Sequence, residues 1–400
     1  MTAVRTFFLN RFYWPNESAT AQLLHDVTRH LAARGRCVVV LTCDDSPGGH
    51  IPRTEEHTGV RIIRVSRVRL RAGLAQRAFD AARFLAASAW VLVRQCRRGD
   101  TVVAMTDPPL LGVVAGFFAG LKHARVVHWA QDIYPEIVIA LVDQPFVRHA
   151  ARLALPLRDA SWRGADRCVA ISGEIAALMA ARGVCARRIS IVANWAPRGI
   201  TALPRDAVDA LRSAWGLEGR FVVAYSGNLG RVHDLAAIAD LAEHLRTNAD
   251  IVILIIGSGP GQTRLSEAVA ARRLDNVVFL PPQPRAMLNQ SLAVADVHLV
   301  TLRPDCAGLV FPSKTYGIAR AGRAIAFIGP RDCEPARLIA EHGLGIAATR
   351  DELPQLADRL RQWSRDGSAA DFGRAAAEFG RRLAGVETGC AAWEELLDDL

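Results

Sequence analysis

The sequence predicts an α/β protein made of two Rossmann-like, doubly wound parallel-sheet domains facing a central cleft. Three observations carry this. Short apolar runs rich in Val and Ile alternate with longer helical patterns, as in sheets built from βαβ units. The alternation pauses near Asn194 to Pro204, a segment with two prolines and one glycine, and then begins again. A chain of 400 residues also exceeds what one hydrophobic core usually serves, so two domains of roughly 200 residues are expected.

In chain order, the first half offers strands at Val4 to Leu9, Cys37 to Thr42, Val60 to Val65, Thr101 to Met105, Arg125 to Trp129, Arg167 to Ile171 and Ile189 to Val192. Between the first two lies a helix that Ser18 is placed to cap and Gly35 to end, with Leu23, Leu24, Val27 and Leu31 as its buried stripe. The second half offers Phe221 to Tyr225, Ile251 to Ile256, Asn276 to Leu280, Val297 to Thr301 and Ala324 to Ile328. The expected domains span residues 1–195 and 204–375. Residues 376–400 read as a helix that packs back toward the N-terminal domain through Trp393, Leu396 and Leu397.

Half the residues are hydrophobic and 22% are charged, which argues for a globular chain and against disorder. Lys and Arg number 49 against 40 Asp and Glu, nearly all of the positive charge being arginine. Such an excess suits nucleic acid, an anionic membrane face or phosphorylated substrates. The eight cysteines include no CxxC pair, so neither a zinc site nor a disulfide framework is expected, and Cys37 and Cys168 read as small core residues. No secretory signal is read at the start, which favours a reducing cytosol. The apolar stretch Pro108 to Leu121, broken by three glycines, is too short to span a bilayer.

Ligands of open α/β sheets bind beyond the carboxyl ends of the strands, so the loops there carry the functional reading. The first, Tyr13 to Ala19, holds Asn16, Glu17 and Ser18 and leads into the first helix. The second, Gln131 to Glu136, places Asp132 at a strand's end, where an acid serves as a base, holds a hydroxyl or caps the next turn. Glu136 there suits a helix start. The third, Tyr225 to His233, has Gly227, Asn228 and Gly230 in a turn whose N–H groups suit a diphosphate, with Arg231 supplying charge. Gly257, Ser258 and Gly259 follow the next strand, and Pro281 and Pro282 the one after. No GxGxxG is present, so NAD or FAD binding is not expected. Last, Phe311 to Gly317 places Ser313 at a helix start and Lys314 beside it, an arrangement that suits a phosphate.

These strings resemble the retaining nucleotide-sugar glycosyltransferases of family 4, which have the two-domain GT-B fold. QDIYPE at 131 to 136, SGNLG at 226 to 230, GSGP at 257 to 260, ADVHLV at 295 to 300 and FPSKTYG followed by RAG look most like bacterial exopolysaccharide and O-antigen enzymes, including colanic-acid-type transferases. The resemblance implies that Gly227, Asn228, Gly230 and Arg231 hold the donor diphosphate and that Lys314, with Ser313, approaches the same phosphates. It implies that the loops at Gly257 and Pro282 frame the base, and that the acceptor lies near Asn16 to Ala19 and Asp132. Two glutamates eight apart, common in the family, are replaced here by Leu309 and Gly317, so ribose binding by the second is not carried over. The first-domain loop lacks the usual paired glycines, and Asp132 stands where many members have a histidine.

The resulting expectation is a metal-independent transfer from a nucleotide-diphosphate sugar, with no cofactor. Arg231 and Lys314 stabilise the leaving diphosphate, and Asp132 positions the acceptor hydroxyl. The stretch Arg61 to Arg98, with Arg64, Arg67, Arg69, Arg71, Arg77, Arg83, Arg94, Arg97 and Arg98 among Leu70, Leu74, Phe79, Phe84, Leu85, Trp90 and Leu92, suits an anionic bilayer carrying a polyprenyl-diphosphate-linked acceptor. This places the protein in the cytoplasm, at the inner face of the membrane. No nucleic-acid module is present, so nucleic acid is not an expected partner. Two rivals are a nucleotide-sugar epimerase of similar fold and a peripheral membrane scaffold whose donor site has decayed.

Overall fold

A computed structural model of the chain describes residues 4–46, 51–68 and 73–400. The chain divides into two compact units, Met1–Ala193 with Glu387–Leu400, and Asn194–Val386.

The first unit is built on eight strands: β1 Arg5–Leu9, β2 Cys37–Asp44, β3 Thr54–His57, β4 Val60–Arg67, β5 Thr101–Ala104, β6 Arg125–Ala130, β7 Arg167–Ala170 and β8 Ile189–Ile191. They lie in the order β3-β4-β2-β1-β5-β6-β7-β8. All neighbours are parallel except β3 and β4, which run antiparallel. The edge strand β3 is the sequence Thr-Glu-Glu-His, too polar to stand out by hydrophobic pattern and typical of edges that stay soluble. Helices cover both faces, so central strands such as β1, with Phe7, Phe8 and Leu9 fully buried, are apolar on both sides.

The second unit has six parallel strands: β9 Phe221–Ser226, β10 Ile251–Ile256, β11 Val277–Leu280, β12 Val297–Thr301, β13 Ala324–Ile328 and β14 Gly345–Ala348. Their order is β11-β10-β9-β12-β13-β14. The edge strand β14 is short and partly exposed. Its first residue, Gly345, sits with φ +154° where a Cβ would fall 1.9 Å from the Ile325 carbonyl oxygen. In each sheet the winding reverses once, between β1 and β5 and between β9 and β12. Such reversals open crevices at the strands' carboxyl ends, the places where ligands of open α/β sheets bind.

Several local expectations need correction. Ser18 occupies the cap position of the helix Ala19–Ala33, but its side chain makes no capping bond. Instead the Ser18 N–H donates to Asn16 Oδ1 at 2.8 Å, an Asx-type turn that sets the helix entry. Ser313 likewise precedes the helix Lys314–Arg320 in an α-helical conformation (φ −60°, ψ −16°) with no side-chain cap bond. Cys37 is exposed at the start of β2, whereas Cys168 is buried, and none of the eight cysteines forms a disulfide. Arg64 is no surface arginine. It is 4% exposed and binds Glu55 at 2.7 Å and the carbonyls of Pro52 and Trp14. Arg69, Leu70 and Arg71 lie outside the described residues, as does the side chain of Leu74.

The last helix, Val386–Asp398, closes the first unit. Trp393 is fully buried, with ring centroids 4.4 Å from Trp129 on β6 and 6.4 Å from Phe8 on β1. Glu394 adds a 2.7 Å contact to His30, and Asp398 pairs with Arg36. Removing a fully buried indole costs about 3–5 kcal/mol. Trp393→Ala should therefore lower the urea midpoint of the first unit, followed by Trp fluorescence or circular dichroism, while the second unit's transition stays in place.

Candidate active site

The crevice between β9 and β12 holds the sharper half of the site. Beyond β9 the chain turns through Gly227, Asn228, Leu229 and Gly230, and beyond β10 through Gly257, Ser258 and Gly259. The two turns are laced by backbone bonds, Gly227 N–H to Ile256 O and Leu229 N–H to Ser258 O, both 2.9 Å. A Cβ at Gly257 (φ +144°) would lie 2.0 Å from the Gly227 oxygen, and one at Gly259 (φ +156°) would lie 2.5 Å from Asn228 Oδ1. Glycine at 257 is thus required by the packing of one turn on the other. The Tyr225 hydroxyl donates to the Asn228 carbonyl at 2.9 Å and steadies the same turn.

Lys314 reaches this turn from the start of the helix that follows β12. Its Nζ lies 3.6 Å from the centroid of the Tyr225 ring and 3.8 Å from where a Gly227 Cβ would be. The ammonium is out of solvent and has no hydrogen-bond partner among the described residues. Burial holds its pKa down to about 7, against 10.5 for an ordinary lysine. The Tyr225 ring face offers only a cation–π contact in place of a carboxylate. His233, 2.7 Å from the Thr301 carbonyl through Nδ1, is kept neutral, its pKa near 3, first by burial and then by Lys314. It is therefore a structural support for the Lys314 pocket. Arg231 is exposed beside the turn, and Pro282 is exposed after β11.

The crevice between β1 and β5 gathers a second group. Arg11 follows β1 and makes an ion pair with Asp107, which follows β5, at 2.6 Å. Asp132 follows β6, and its N–H donates to Thr106 Oγ1 at 3.2 Å. Its carboxyl pKa is raised to about 6, by burial first and then by the Asp107 charge. Glu136 is committed elsewhere, to Arg158 and Arg182, so it belongs to the scaffold. Asn16 is bonded to Asp45, and Glu17 and Ser18 are exposed. Arg11 and Asp107 escaped the reading of the sequence. The run Thr106-Asp107-Pro108 after a strand is the same kind of signal as Gln131-Asp132, and it was available.

Two doubly wound parallel-sheet units, each with its ligand crevice at the strands' carboxyl ends, define the GT-B class of glycosyltransferases. Residues 19–195 match the family described as a glycosyl transferase 4-like domain. The chain is 29% identical over 259 residues to the probable glycosyltransferase WbjE of Pseudomonas aeruginosa, an alignment covering 64% of this chain and 63% of that one. It is 27% identical over 285 residues to the putative colanic acid biosynthesis glycosyl transferase WcaI of Escherichia coli K12, covering 70% of each. Among solved structures, HepE of Anabaena in complex with UDP-glucose superposes with a TM-score of 0.72 at 17% identity, over 99% of this chain and 100% of that one. Residues 19–195 thus carry a glycosyl transferase 4-like domain, and the chain, of GT-B fold, resembles glycosyltransferases such as WbjE and the putative colanic-acid enzyme WcaI.

A buried lysine without a counter-charge leaves a mark on stability. The unfolded lysine takes its proton near 10.5 and the folded one near 7. Stability is therefore lost as pH falls through that window, and the full penalty is present below it. Lys314→Met should raise the melting temperature of the unliganded protein near neutral pH, with the advantage shrinking toward pH 10. A pH series of melting curves reads this directly.

Proposed function

We propose that the protein is a retaining transferase that moves a sugar from a nucleotide-diphosphate sugar to a polyprenyl-diphosphate-linked glycan in the synthesis of a bacterial surface polysaccharide. The observation that carries the donor reading is Lys314, a buried ammonium with no protein partner, held against a glycine turn whose shape keeps side chains away. A diphosphate supplies the missing counter-charge. As the bond from the sugar's C1 to the donor phosphate breaks, negative charge grows on the leaving diphosphate. Lys314, Arg231 and the N–H groups of Asn228 and Gly230 meet it, those of Gly227 and Leu229 being already donated to Ile256 and Ser258. No metal ion is assigned a part. The UDP-glucose carried by HepE and the colanic-acid role in the name of WcaI support the donor and pathway readings.

Two outcomes follow for the donor half. UDP, GDP, ADP or CMP sugars, screened by thermal shift, should give a clear stabilisation with one base. Binding should also raise the Lys314 pKa above 7, so calorimetry near pH 8 in buffers of different ionisation enthalpy should register uptake of close to one proton. Lys314→Ala should abolish that uptake and lower turnover at saturating donor by about 10²-fold or more. Full turnover in the variant would sink the role given to Lys314.

On the acceptor side, Asp132 orients the hydroxyl that forms the new bond to C1, while the hydroxyl proton passes to the departing phosphate. The ionised carboxylate is the stronger acceptor and donates nothing, and it predominates above about pH 6. The acceptor kcat/KM should rise with pH through that value. Asp132→Asn should remove this limb and cost about 10²–10⁴ in kcat.

A lipid-linked acceptor calls for a membrane-facing surface. Helices Leu74–Gln95, Leu111–Gly120 and Pro145–Gly164 pack side by side in the first unit. Phe79, Trp90, Phe117, Phe146, Leu153 and Leu157 are each more than half exposed there. Exposed Arg83, Arg94, Arg97, Arg98 and Arg152 accompany them, the composition of a surface that rests on anionic lipid. Among the described residues no helix is long and apolar enough to cross a membrane. Sedimentation with phosphatidylglycerol vesicles should be strong at low salt and should fall when these arginines are replaced by glutamine. Binding that ignores both salt and arginines would count against the membrane reading.

A further inference from the structure

The second unit holds a cationic cavity at the end of its sheet opposite the Lys314 crevice. Its lining includes Phe221, the first residue of β9, together with Asp250, Asp296 and Arg323, which stand just before β10, β12 and β13. The strands are parallel, so this end lies a full strand away from Gly227, roughly 20 Å at about 3.3 Å per residue. The cavity measures about 310 Å³.

Four arginines line it, Arg205, Arg212, Arg220 and Arg323, against two carboxylates, Asp250 and Asp296. Both carboxylates are already engaged. Asp296 pairs with Arg205 at 3.1 Å and with Arg212 at 3.4 Å, and it accepts the Val222 N–H at 2.8 Å. Asp250 accepts the Ser364 hydroxyl at 2.6 Å. Arg212 is committed further, to the carbonyls of Val294 and Arg220. That leaves two guanidinium groups undercompensated. Among the described residues the Arg323 side chain has one hydrogen-bond partner, the Leu203 carbonyl at 3.1 Å, and its Nε is buried without an acceptor. The Arg220 Nε is likewise buried without an acceptor, and no carboxylate pairs with its side chain among the described residues. Burial, and then the nearby Arg205 and Arg212 charges, act against the charged form of Arg323, while Asp296 favours it. Arginine does not give up its proton in practice, so the remedy open to this cluster is an added anion.

We propose that this cavity binds a small phosphoryl anion, inorganic phosphate or a phosphomonoester, at a site distinct from the donor crevice. Arg220 and Arg323 line the same cavity, and each guanidinium has planar pairs of N–H donors of the kind that take a phosphate through paired hydrogen bonds. The volume accommodates a phosphate carrying a small substituent, such as a sugar. Gly219 and Gly367 lie in the lining, and a Cβ at either would meet nothing within 4 Å, so no side chain at these positions fills the cavity.

The test uses the full chain carrying Lys314→Ala, which removes the competing phosphate contact in the other crevice. Inorganic phosphate and glucose 6-phosphate are titrated separately by calorimetry and by melting temperature at constant ionic strength. Either should bind and raise the melting point, the tighter of the two telling free phosphate from a phosphate ester. In the same background Arg220→Gln, whose side chain supports no other group, should weaken binding at least tenfold. Adding Arg323→Gln should abolish it. The proposal is overturned if neither anion binds at millimolar concentration, if binding disappears with Lys314→Ala alone, or if Arg220→Gln leaves the affinity unchanged in a protein of normal melting temperature.

Discussion

The oxygen of Gly227 occupies the place where a side chain at residue 257 would begin, and the carboxyl edge of the second sheet is organised around that contact. It lets the turn after β9 lie directly on the turn after β10, with each ladder continuing one bond past its strand. The first turn rests on the second, with the side chains of Asn228 and His233 close to Gly230. Lys314 then arrives over the Tyr225 ring. The crevice at the β9–β12 reversal thus becomes a cradle of backbone with a single desolvated cation in it. The energetic character is that of a strained preorganised site. The fold carries the desolvation cost of an unpartnered lysine, which an added anion would offset.

The first unit solves a different problem with different chemistry. Its crevice at β1 and β5 is acidic, with Asp107 tied to Arg11 and Asp132 left with a raised pKa beside it. One unit therefore offers an unpaired cation and the other a carboxylate poised near neutrality. That division matches an acidic leaving group on one partner and a hydroxyl on the other. The neutral, buried His128 and His233 take no charge in either place. They are fixed by Ser161 and the Thr301 carbonyl and support the strands beside the crevices.

Much of this was legible in the sequence, because the central strands of a covered parallel sheet must be apolar on both faces. Twelve strands were readable as Val- and Ile-rich runs, and only β3 and β14 escaped. Both are edge strands, one polar and one opening on a glycine, so neither carries the pattern that burial imposes. The loops after strands were legible for a related reason, since lysine and aspartate there break the apolar pattern and glycine marks where two turns pack closely. What the sequence could not convey was commitment. Arg64 and Glu136 look like free surface charges in the linear text, yet Arg64 is itself buried against Glu55 and Glu136 is spent on the buried Arg158, 22 positions later. Lys314 looks like a solvated lysine and is the reverse. Its isolation depends on Tyr225, which lies 89 positions earlier and meets it only because β9 and β12 are neighbours.

The helix Val386–Asp398 sets an order of events during synthesis. The residues of the first unit leave the ribosome early, but Trp393, which covers Trp129 and Phe8, is made only after the whole of Asn194–Val386. At roughly 5–20 residues per second, that interval lasts on the order of ten to forty seconds. Throughout it, the nascent first unit presents an apolar groove that its own chain cannot yet fill. A chaperone that shields this groove until translation ends would do more for the yield of folded protein than one that acts on the second unit, which is contiguous and can close as it emerges.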